Sequence, residues 1–184
     1  MNRWQVREAT RALRAGGVIA YPTETVFGLG CDPLDLRAIE RILELKQRPR
    51  EKGLILIGAN LQQLLPFIDV RDQTLLNKLT QTTPRPTTWI CPLRNNIPRW
   101  LSGRHHTIAV RITTSPIAQQ LCQQFGSAIV STSSNPAGLK PARSMLAIRR
   151  YFDDQLDYVL NGPSDSRAKP SRIAELISDR VIRD

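Results

Sequence analysis

The chain has 184 residues, 41% of them hydrophobic, and 26 Lys or Arg against 16 Asp or Glu give it a net charge of +10. This composition excludes a disordered chain, and the length predicts one domain, over residues 1–184, with a core of its own. No apolar run approaches the ~20 residues of a membrane span, and the charged first residues lack the apolar segment of a signal peptide. We therefore expect a cytoplasmic protein with no membrane partner. The positive surplus favours polyanions, either nucleic acid or nucleotide phosphates.

The first predicted elements are a helix over residues 5–15 and a buried strand over Gly17–Tyr21. Pro22 removes a backbone donor and is predicted to end the strand pairing. Thr23–Thr25 follow, where α/β proteins often bind ligands because the sheet fixes the roots of the loop. The other interpretation is the turn of a β-hairpin, in which the threonines have no special role. The sequence of this stretch leaves both open.

Basic residues concentrate where the next helix ends. Asp35 is predicted to cap this helix, and Pro49 ends it because proline disfavours the α conformation at Arg48. Four basic side chains lie between the helix and the apolar strand over residues 54–57: Lys46, Arg48, Arg50 and Lys52. They can complement the helix dipole or bind an anion together. We favour the anion, since one or two charges would serve the dipole.

The middle of the chain is predicted to contain two short helices, capped by Asn60 and Asp72, and two strands, over residues 87–91 and 107–112. Arg111 lies in the second of these strands between apolar neighbours. A buried arginine is costly unless an anion compensates its charge. The pattern therefore predicts an anion close to Arg111.

Side chains suited to metal binding are sparse. The cysteines Cys31, Cys91 and Cys122 lie far apart and show no CxxC spacing, which argues against a zinc site and against a disulfide framework. His105 and His106 are adjacent, without a third ligand at a useful spacing. We interpret residues 95–106 as a surface loop.

The last third begins with a helix started by Ser115 and Pro116, and continues with a short strand over residues 128–130. This strand leads into Ser131–Asn135, which offers four hydroxyl groups and an amide. These groups can hold a ligand through neutral hydrogen bonds or form a polar turn. The remaining predicted elements are a helix capped by Ser144, a strand over residues 157–160 and a strand pair over residues 170–183.

Taken together, these stretches resemble the YrdC-like family of threonylcarbamoyl-AMP synthases, in its single-domain bacterial form. The similarity rests on five motifs in the family's order. They are a YPTETVxGLG-like motif at Tyr21–Gly30, a KxR motif at Lys46 and Arg48, an AVR strand at Ala109–Arg111, an SAN-like motif at Thr132–Asn135 and a PST-like element at Pro170–Ile173. The motifs cover nearly the whole chain, so the match is specific.

The resemblance implies an α/β fold in which a twisted open mixed sheet, flanked by helices, curls around a deep basic cavity. It also implies a nucleotidyltransferase that joins L-threonine, bicarbonate or CO2, and ATP into threonylcarbamoyl-AMP and releases pyrophosphate. Mg²⁺ is expected to accompany ATP, without a protein cage of its own. The implied partners include the downstream proteins that transfer the threonylcarbamoyl group to adenosine 37 of tRNA, and direct binding of tRNA or other RNA is possible.

The resemblance also implies roles for individual residues. Lys46 and Arg48 would be catalytic and would hold the ATP phosphates. The other ATP-binding candidates are Arg50, Asn135, Arg143 and Arg183. The threonine-binding candidates are Thr23, Thr25, Ser133 and Ser171. Thr88 and Arg111 are expected to line the cavity.

The chain departs from the family pattern at three places. Arg85 stands where relatives have a glycine, Ser134 replaces an alanine, and Ser166–Lys169 replace paired glycines. The first and third departures affect segments expected near the phosphates, and they could mark altered activity.

Two other functions fit parts of the sequence. A non-catalytic RNA-binding or ribosome maturation factor could use the basic cavity to hold RNA, and the net charge of +10 suits it equally well. A carbamoyl-transfer module like that of hydrogenase maturation proteins ranks last. Such modules lie beside zinc-binding and acylphosphatase-like domains, of which these 184 residues contain neither.

Overall fold

The computed structural model describes residues 3–163 and 170–184. The α-helices are α1 (Arg3–Arg14), α2 (Leu36–Lys46), α3 (Leu61–Leu64), α4 (Gln73–Thr80), α5 (Arg99–Ser102), α6 (Pro116–Phe125) and α7 (Met145–Phe152). The strands are β1 (Ile19–Pro22), β2 (Phe27–Gly30), β3 (Ile55–Gly58), β4 (Thr87–Pro92), β5 (Thr107–Ile112), β6 (Ile129–Val130), β7 (Thr132–Ser133), β8 (Tyr158–Val159), β9 (Arg172–Glu175) and β10 (Val181–Arg183). No helix in these two ranges is long and apolar enough to span a membrane.

The strands form two open sheets that each mix parallel and antiparallel pairs. One has four strands in the order β7-β2-β1-β8, and the other has six in the order β10-β9-β4-β5-β3-β6. The predicted α/β class with open mixed sheets is confirmed, although there are two sheets rather than one. The chain passes from the six-stranded to the four-stranded sheet at Ser131, whose backbone N–H donates to the carbonyl of Ile55 at 2.8 Å.

Helices cover the sheets because each buries one apolar face. Helix α2 packs its buried face on strand residues such as Phe27 and Leu56, in the larger of two core clusters. Helices α1 and α6 pack against each other and against Ile19, Tyr21 and Ile57 in the smaller cluster. The polar ends of the strands remain outside both clusters.

Local capping chemistry starts the helices where the sequence predicts. The Asp35 carboxylate accepts hydrogen bonds from the backbone N–H groups of Arg37 and Ala38, at 2.9 and 3.1 Å. The same role is played by Asn60, Asp72, Ser115 and Ser144 at their helices. These caps satisfy donors that a helix cannot bond internally.

Three segments differ from the sequence predictions. The β1–β2 pairing ends one residue later than predicted, because Pro22 is itself paired, opposite Phe27, as the last residue of β1. The predicted loop over residues 95–106 contains the short helix α5. Thr132 and Ser133 form β7, which pairs with β2, although their polar side chains indicated a loop.

Candidate active site

A cavity of about 460 Å³ lies where polar ends of both sheets meet. Its walls come from the β1–β2 hairpin, the segment after α2, strand β5, the β6–β7 segment and the segment from Pro170 to β10. The polar side chains that line it are Thr23, Thr25, Arg48, Lys52, Ser102, His105, Thr107, Arg111, Ser131, Thr132, Ser133, Ser171 and Arg183. It is therefore rich in hydroxyl groups and in cations.

The threonines of the hairpin face this cavity. Thr23 closes the turn, since its backbone N–H and its Oγ1 both donate to the carbonyl of Val26, at 3.1 and 2.7 Å. The Thr23 Oγ1 accepts from the N–H of Thr25 at 3.3 Å, and both side chains are buried. The stretch is therefore the turn of a β-hairpin, and its threonines also line the cavity.

Lys46 and Arg48 reach the cavity region from the end of α2. Gln47, in the left-handed conformation with φ 49°, turns the chain between them. The Lys46 Nζ donates to the backbone carbonyls of Ser133 and Asn135, the latter at 2.9 Å. It lies behind the wall, whereas Arg48 is part of the wall and donates to the carbonyl of Gly53 at 2.9 Å.

The electrostatic surroundings of these two side chains favour an anion. Burial lowers the pKa of Lys46, the neighbouring Arg48 lowers it further, and together they bring it to about 8. Burial also lowers the pKa of Arg48. Within residues 3–163 and 170–184 no carboxylate pairs with either cation, and the Arg48 Nε is buried without a hydrogen-bond partner. A bound anion would stabilise the charged forms of Lys46 and Arg48, and it could accept a hydrogen bond from the Arg48 Nε.

Arg111 has an anion from the protein itself. Its Nη2 lies 3.6 Å from the Oε2 of Glu24, and both side chains are about nine-tenths buried, with exposed fractions of 9% and 10%. Burial raises the pKa of Glu24, but Arg111 and the hydrogen bonds from Thr113 and Thr114 outweigh it, so that the pKa lies below its ordinary value. The sequence indicated that Arg111 needs a compensating anion, and the structure supplies it from Glu24.

Ser171 accepts hydrogen bonds from two side chains, those of Arg183 and Thr88. The Arg183 Nη2 donates to its carbonyl at 2.9 Å and to its Oγ at 3.3 Å, and the Thr88 Oγ1 donates to the Ser171 Oγ at 3.1 Å. Thr88 is fully buried behind Ser171, so it does not line the cavity as predicted. The pKa of Arg183 is lowered by burial and by the charges of Arg111 and Arg85. Among the described residues, Arg183 has no carboxylate partner, so it adds positive charge to this wall.

The remaining ATP-binding candidates, Asn135, Arg143 and Arg50, do not line the cavity. Asn135 donates through Nδ2 to the carbonyl of Leu139 at 2.7 Å, and its buried Oδ1 has no hydrogen-bond partner among the described residues. Arg143 is exposed and is not part of the cavity wall. Arg50 is also exposed, and it pairs with Glu40 at 2.8 Å outside the cavity. The structure does not bring Arg50 to the predicted site, because a 3₁₀ turn follows Pro49 and redirects the chain.

Two of the three departures from the family pattern fall in the described part of the chain. Arg85 donates to the carbonyl of Pro170 through Nε at 3.0 Å and Nη2 at 2.8 Å, and it pairs with Asp184 at 2.9 Å. It therefore anchors the segment that leads to Ser171. The Ser134 Oγ is buried and has no hydrogen-bond partner among the described residues. The departure at Ser166–Lys169 lies outside the described residues.

Several residues in or beside the cavity wall were not identified from the sequence. Glu24 stood inside the first motif and Ser131 at the start of the polar run, but nothing distinguished them from their neighbours. The sequence places Lys52 only in a basic cluster, and it places His105 in a surface loop. The signal that could have found them is spatial: all except Glu24 contribute to one wall, and Glu24 contacts that wall through Arg111.

The donor set of the site does not suit a resident divalent metal ion. Within the described ranges, no group of three or more His, Cys, Asp or Glu side chains could hold one. Glu24 is the carboxylate beside the cavity, and its oxygens face donors from Thr113, Thr114, Ser115 and Arg111. Magnesium is usually bound by one or two carboxylates together with substrate phosphates. Because the Glu24 carboxylate already faces these donors, the protein contribution to such a site is small.

Three comparisons place the chain among known proteins. The family model Sua5_yciO_yrdC, described as "Telomere recombination", matches residues 11–184. The threonylcarbamoyl-AMP synthase of Cellvibrio japonicus (strain Ueda107) is 49% identical over 179 residues, which cover 97% of this chain and 95% of that protein.

Solved structures show the same fold. The crystal structure of E. coli YciO has a TM-score of 0.85 and 29% identity, with 100% of this chain and 90% of that chain covered. The crystal structure of P. abyssi Sua5 complexed with L-threonine has a TM-score of 0.88 and 28% identity. The match covers 95% of this chain and 52% of that one, so the present chain spans about half of the P. abyssi protein.

Proposed function

The chain belongs to the Sua5/YciO/YrdC family, and we infer that it acts as a threonylcarbamoyl-AMP synthase. It forms L-threonylcarbamoyladenylate from L-threonine, bicarbonate or CO2, and ATP, and it releases pyrophosphate. The product supplies the N6-threonylcarbamoyladenosine modification of tRNA at position 37. The observation that carries this conclusion is the 49% identity to a threonylcarbamoyl-AMP synthase over 97% of the chain.

The reaction needs no nucleophile from the protein. The amine of L-threonine attacks the carbon of CO2, a C–N bond forms, and loss of a proton leaves a carbamate. A carbamate oxygen then attacks the α-phosphorus of ATP, and the bond from that phosphorus to the bridging oxygen breaks as pyrophosphate leaves. Catalysis by positioning and by cations near the phosphates is sufficient for such a transfer.

The cations of the site suit the phosphates. Arg48 lies in the wall with a buried Nε that has no partner among the described residues, and Lys46 lies beside it with a pKa of about 8. We assign the triphosphate and the developing negative charge to this side of the cavity. Asn135 and Arg183 would contact the nucleotide, and Mg²⁺ would enter with ATP as part of the substrate.

The hydroxyl groups of the site suit L-threonine. Thr23 and Thr25 line the cavity from the hairpin, and Ser133 and Ser171 line it from β7 and from the start of β9. Neutral hydrogen-bonding groups can orient the hydroxyl and carboxylate of an amino acid without repelling its amine. We assign threonine to these four residues, and CO2 to the space between them and the cations.

Several finer points belong to the same proposal. The activity would occur in the cytoplasm, within one domain, and the unstable adenylate would pass to proteins that transfer its threonylcarbamoyl group to tRNA. The net charge of +10 supports direct contact with RNA at some stage. The near full-length similarity to a named synthase favours catalysis over the RNA-binding factor and over the carbamoyl-transfer module.

Pyrophosphate release tests the function. The purified chain, incubated with ATP, Mg²⁺, L-threonine and bicarbonate, should release pyrophosphate, and omission of L-threonine should abolish the release. An equal rate with and without L-threonine would reject the synthase. A non-catalytic RNA-binding protein would instead show no release and would bind RNA with an affinity that falls steeply with salt.

A further inference from the structure

Glu24 is a buried carboxylate between the two threonines of the β1–β2 hairpin, and the reaction as described assigns it no role. Its Oε1 accepts hydrogen bonds from the Oγ1 of Thr113 at 2.6 Å, the N–H of Thr114 at 2.7 Å and the N–H of Ser115 at 3.2 Å. These donors lie in the turn between β5 and α6. A single carboxylate oxygen therefore ties the hairpin to the turn.

The other oxygen of Glu24 faces Arg111 in the cavity wall. Oε2 lies 3.6 Å from the guanidinium Nη2, and Oε2 and the Arg111 Nε are both buried without a hydrogen-bond partner in the described part of the chain. The ion pair balances the charge of Arg111, while the Arg111 Nε keeps its donor capacity. An arginine in a buried strand would otherwise be destabilising and free to reorient.

We propose that Glu24 is a positioning residue for L-threonine and for the carbamate formed from it. It acts through two contacts: its charge fixes the guanidinium of Arg111, and its position fixes the turn that carries Thr23 and Thr25. This inference rests on the proposed function. It assigns the Arg111 side of the cavity to the amino-acid part of the reaction, and the Lys46 and Arg48 side to the nucleotide.

The substitution Glu24→Gln separates charge from shape. The amide oxygen of glutamine can still accept the hydrogen bonds from Thr113, Thr114 and Ser115. Its amide nitrogen would then face Arg111, so that two donors oppose each other where an ion pair had been. Misplacement of a positioning group by about 1 Å can cost up to 10²-fold in rate. We expect Glu24→Gln to lower kcat/KM for L-threonine at least about 10-fold and to change KM for ATP by less than about threefold.

A double-mutant cycle distinguishes this role from a merely structural one. If Glu24 acts through Arg111, then Glu24→Gln should cost less than about twofold when Arg111 is already replaced by Gln, because coupled residues are not additive. Glu40→Gln is the matched control, since this carboxylate also pairs with an arginine but lies outside the cavity. It should leave every kinetic constant within about twofold of the unsubstituted chain.

Three outcomes would overturn the role of Glu24. They are an unchanged kcat/KM in Glu24→Gln, full additivity with Arg111→Gln, or equal losses for L-threonine and ATP. If thermal unfolding shows that Glu24→Gln does not fold, Thr113→Val is the alternative variant. It removes the shortest hydrogen bond to Glu24 and keeps the charges of Glu24 and Arg111. It should lower kcat/KM for L-threonine about threefold or more, and an unchanged value would reject the proposal. If the unsubstituted chain itself shows no threonine-dependent pyrophosphate release, the proposed function fails instead.

Discussion

The ammonium group of Lys46 donates a hydrogen bond of 2.9 Å to the backbone carbonyl of Asn135, and it also donates to the carbonyl of Ser133. In return, the backbone carbonyl of Lys46 accepts from the N–H of Ala137 at 2.9 Å. The end of α2 and the segment after β7 are therefore held together by one residue. This residue is also the buried cation beside Arg48.

Replacement of Lys46 by alanine removes the charge and both side-chain contacts, to Ser133 of β7 and to Asn135 after it. We expect turnover to fall at least about 100-fold, as loss of a preorganised charge contact typically does. Steady-state pyrophosphate release measures the effect. A rate within about threefold of the unsubstituted chain, in a variant that unfolds at a similar temperature, would place the phosphate site elsewhere.

Arg48 and Arg50 are two residues apart and should behave differently. Arg48 lies in the cavity wall, whereas Arg50 pairs with Glu40 outside it. Arg48→Ala should lower turnover at least about 100-fold. Arg50→Ala is the matched control and should stay within about twofold, because exposed ion pairs contribute little. Comparable losses in the two variants would show that Arg50 swings into the site.

The pKa of Lys46 predicts an alkaline limit on ATP capture. The side chain is charged below its pKa of about 8 and loses the charge as the pH rises through that value. If the charged form binds phosphates, kcat/KM for ATP should fall up to tenfold per pH unit above about 8. The alkaline decline of kcat should begin at a higher pH than that of kcat/KM, because bound phosphates raise the pKa of Lys46. A flat profile to pH 10 would contradict a role of the Lys46 charge in binding the phosphates.

The same pKa makes a prediction about folding. Burial holds the pKa of Lys46 at about 8, below the ordinary 10.5, so the folded state disfavours the charged form. This unfavourable contribution is fully present below about pH 8 and disappears as the pH rises from 8 to 10.5. The free energy of unfolding of the unsubstituted chain should therefore rise relative to that of Lys46→Met across this window. Parallel curves for the two proteins would contradict the depressed pKa.

Ser133 should matter more for L-threonine than for ATP. Its hydroxyl lines the cavity, while its carbonyl is the group that accepts from Lys46. Ser133→Ala removes only the hydroxyl and should raise KM for L-threonine by about fivefold or more, the typical effect of losing one hydrogen bond. The KM for ATP should change less than about twofold. Equal effects on both substrates would reject the assignment of Ser133.

A stability prediction concerns Gly30. A Cβ at this position would lie 2.7 Å from the Cε1 of Tyr21 and 2.8 Å from the carbonyl oxygen of Val130, closer than real contacts allow. The Tyr21 ring is fully buried, so it has little free space into which to shift. Gly30→Ala should therefore destabilise the fold by about 1–3 kcal/mol, the usual range for overpacking. Denaturant unfolding of the unsubstituted chain and of Gly30→Ala measures this loss, and equal free energies of unfolding would contradict the prediction.

Interactions between near neighbours in sequence could be predicted. The helix caps at Asp35, Asn60 and Ser144 depend on residues two or three positions away, and all were correct. The strands over residues 87–91 and 107–112 followed from local propensity in the same way. The KxR and PTET motifs gave the family, which the comparisons confirm.

What could not be predicted depends on residues far apart in sequence. Glu24 contacts Thr113 across 89 positions, and Thr88 contacts Ser171 across 83, so neither partner is visible from the local pattern. Pro22 remains paired because the hairpin brings Phe27 opposite it. Arg50 and Arg48 are close in sequence, but the direction of a side chain after a turn depends on the backbone that follows, and the 3₁₀ turn after Pro49 points Arg50 away from the cavity.

The most direct test of the account is identification of the product. The chain is incubated with ATP, Mg²⁺, L-threonine and ¹³C-bicarbonate, and the nucleotides are separated at once and examined by mass spectrometry. We predict an adenylate with the mass of threonylcarbamoyl-AMP that carries the label, disappears without L-threonine, and falls at least about 100-fold in Arg48→Ala. Release of AMP or ADP without any labelled adenylate would contradict the central claim that this cavity joins the three reactants.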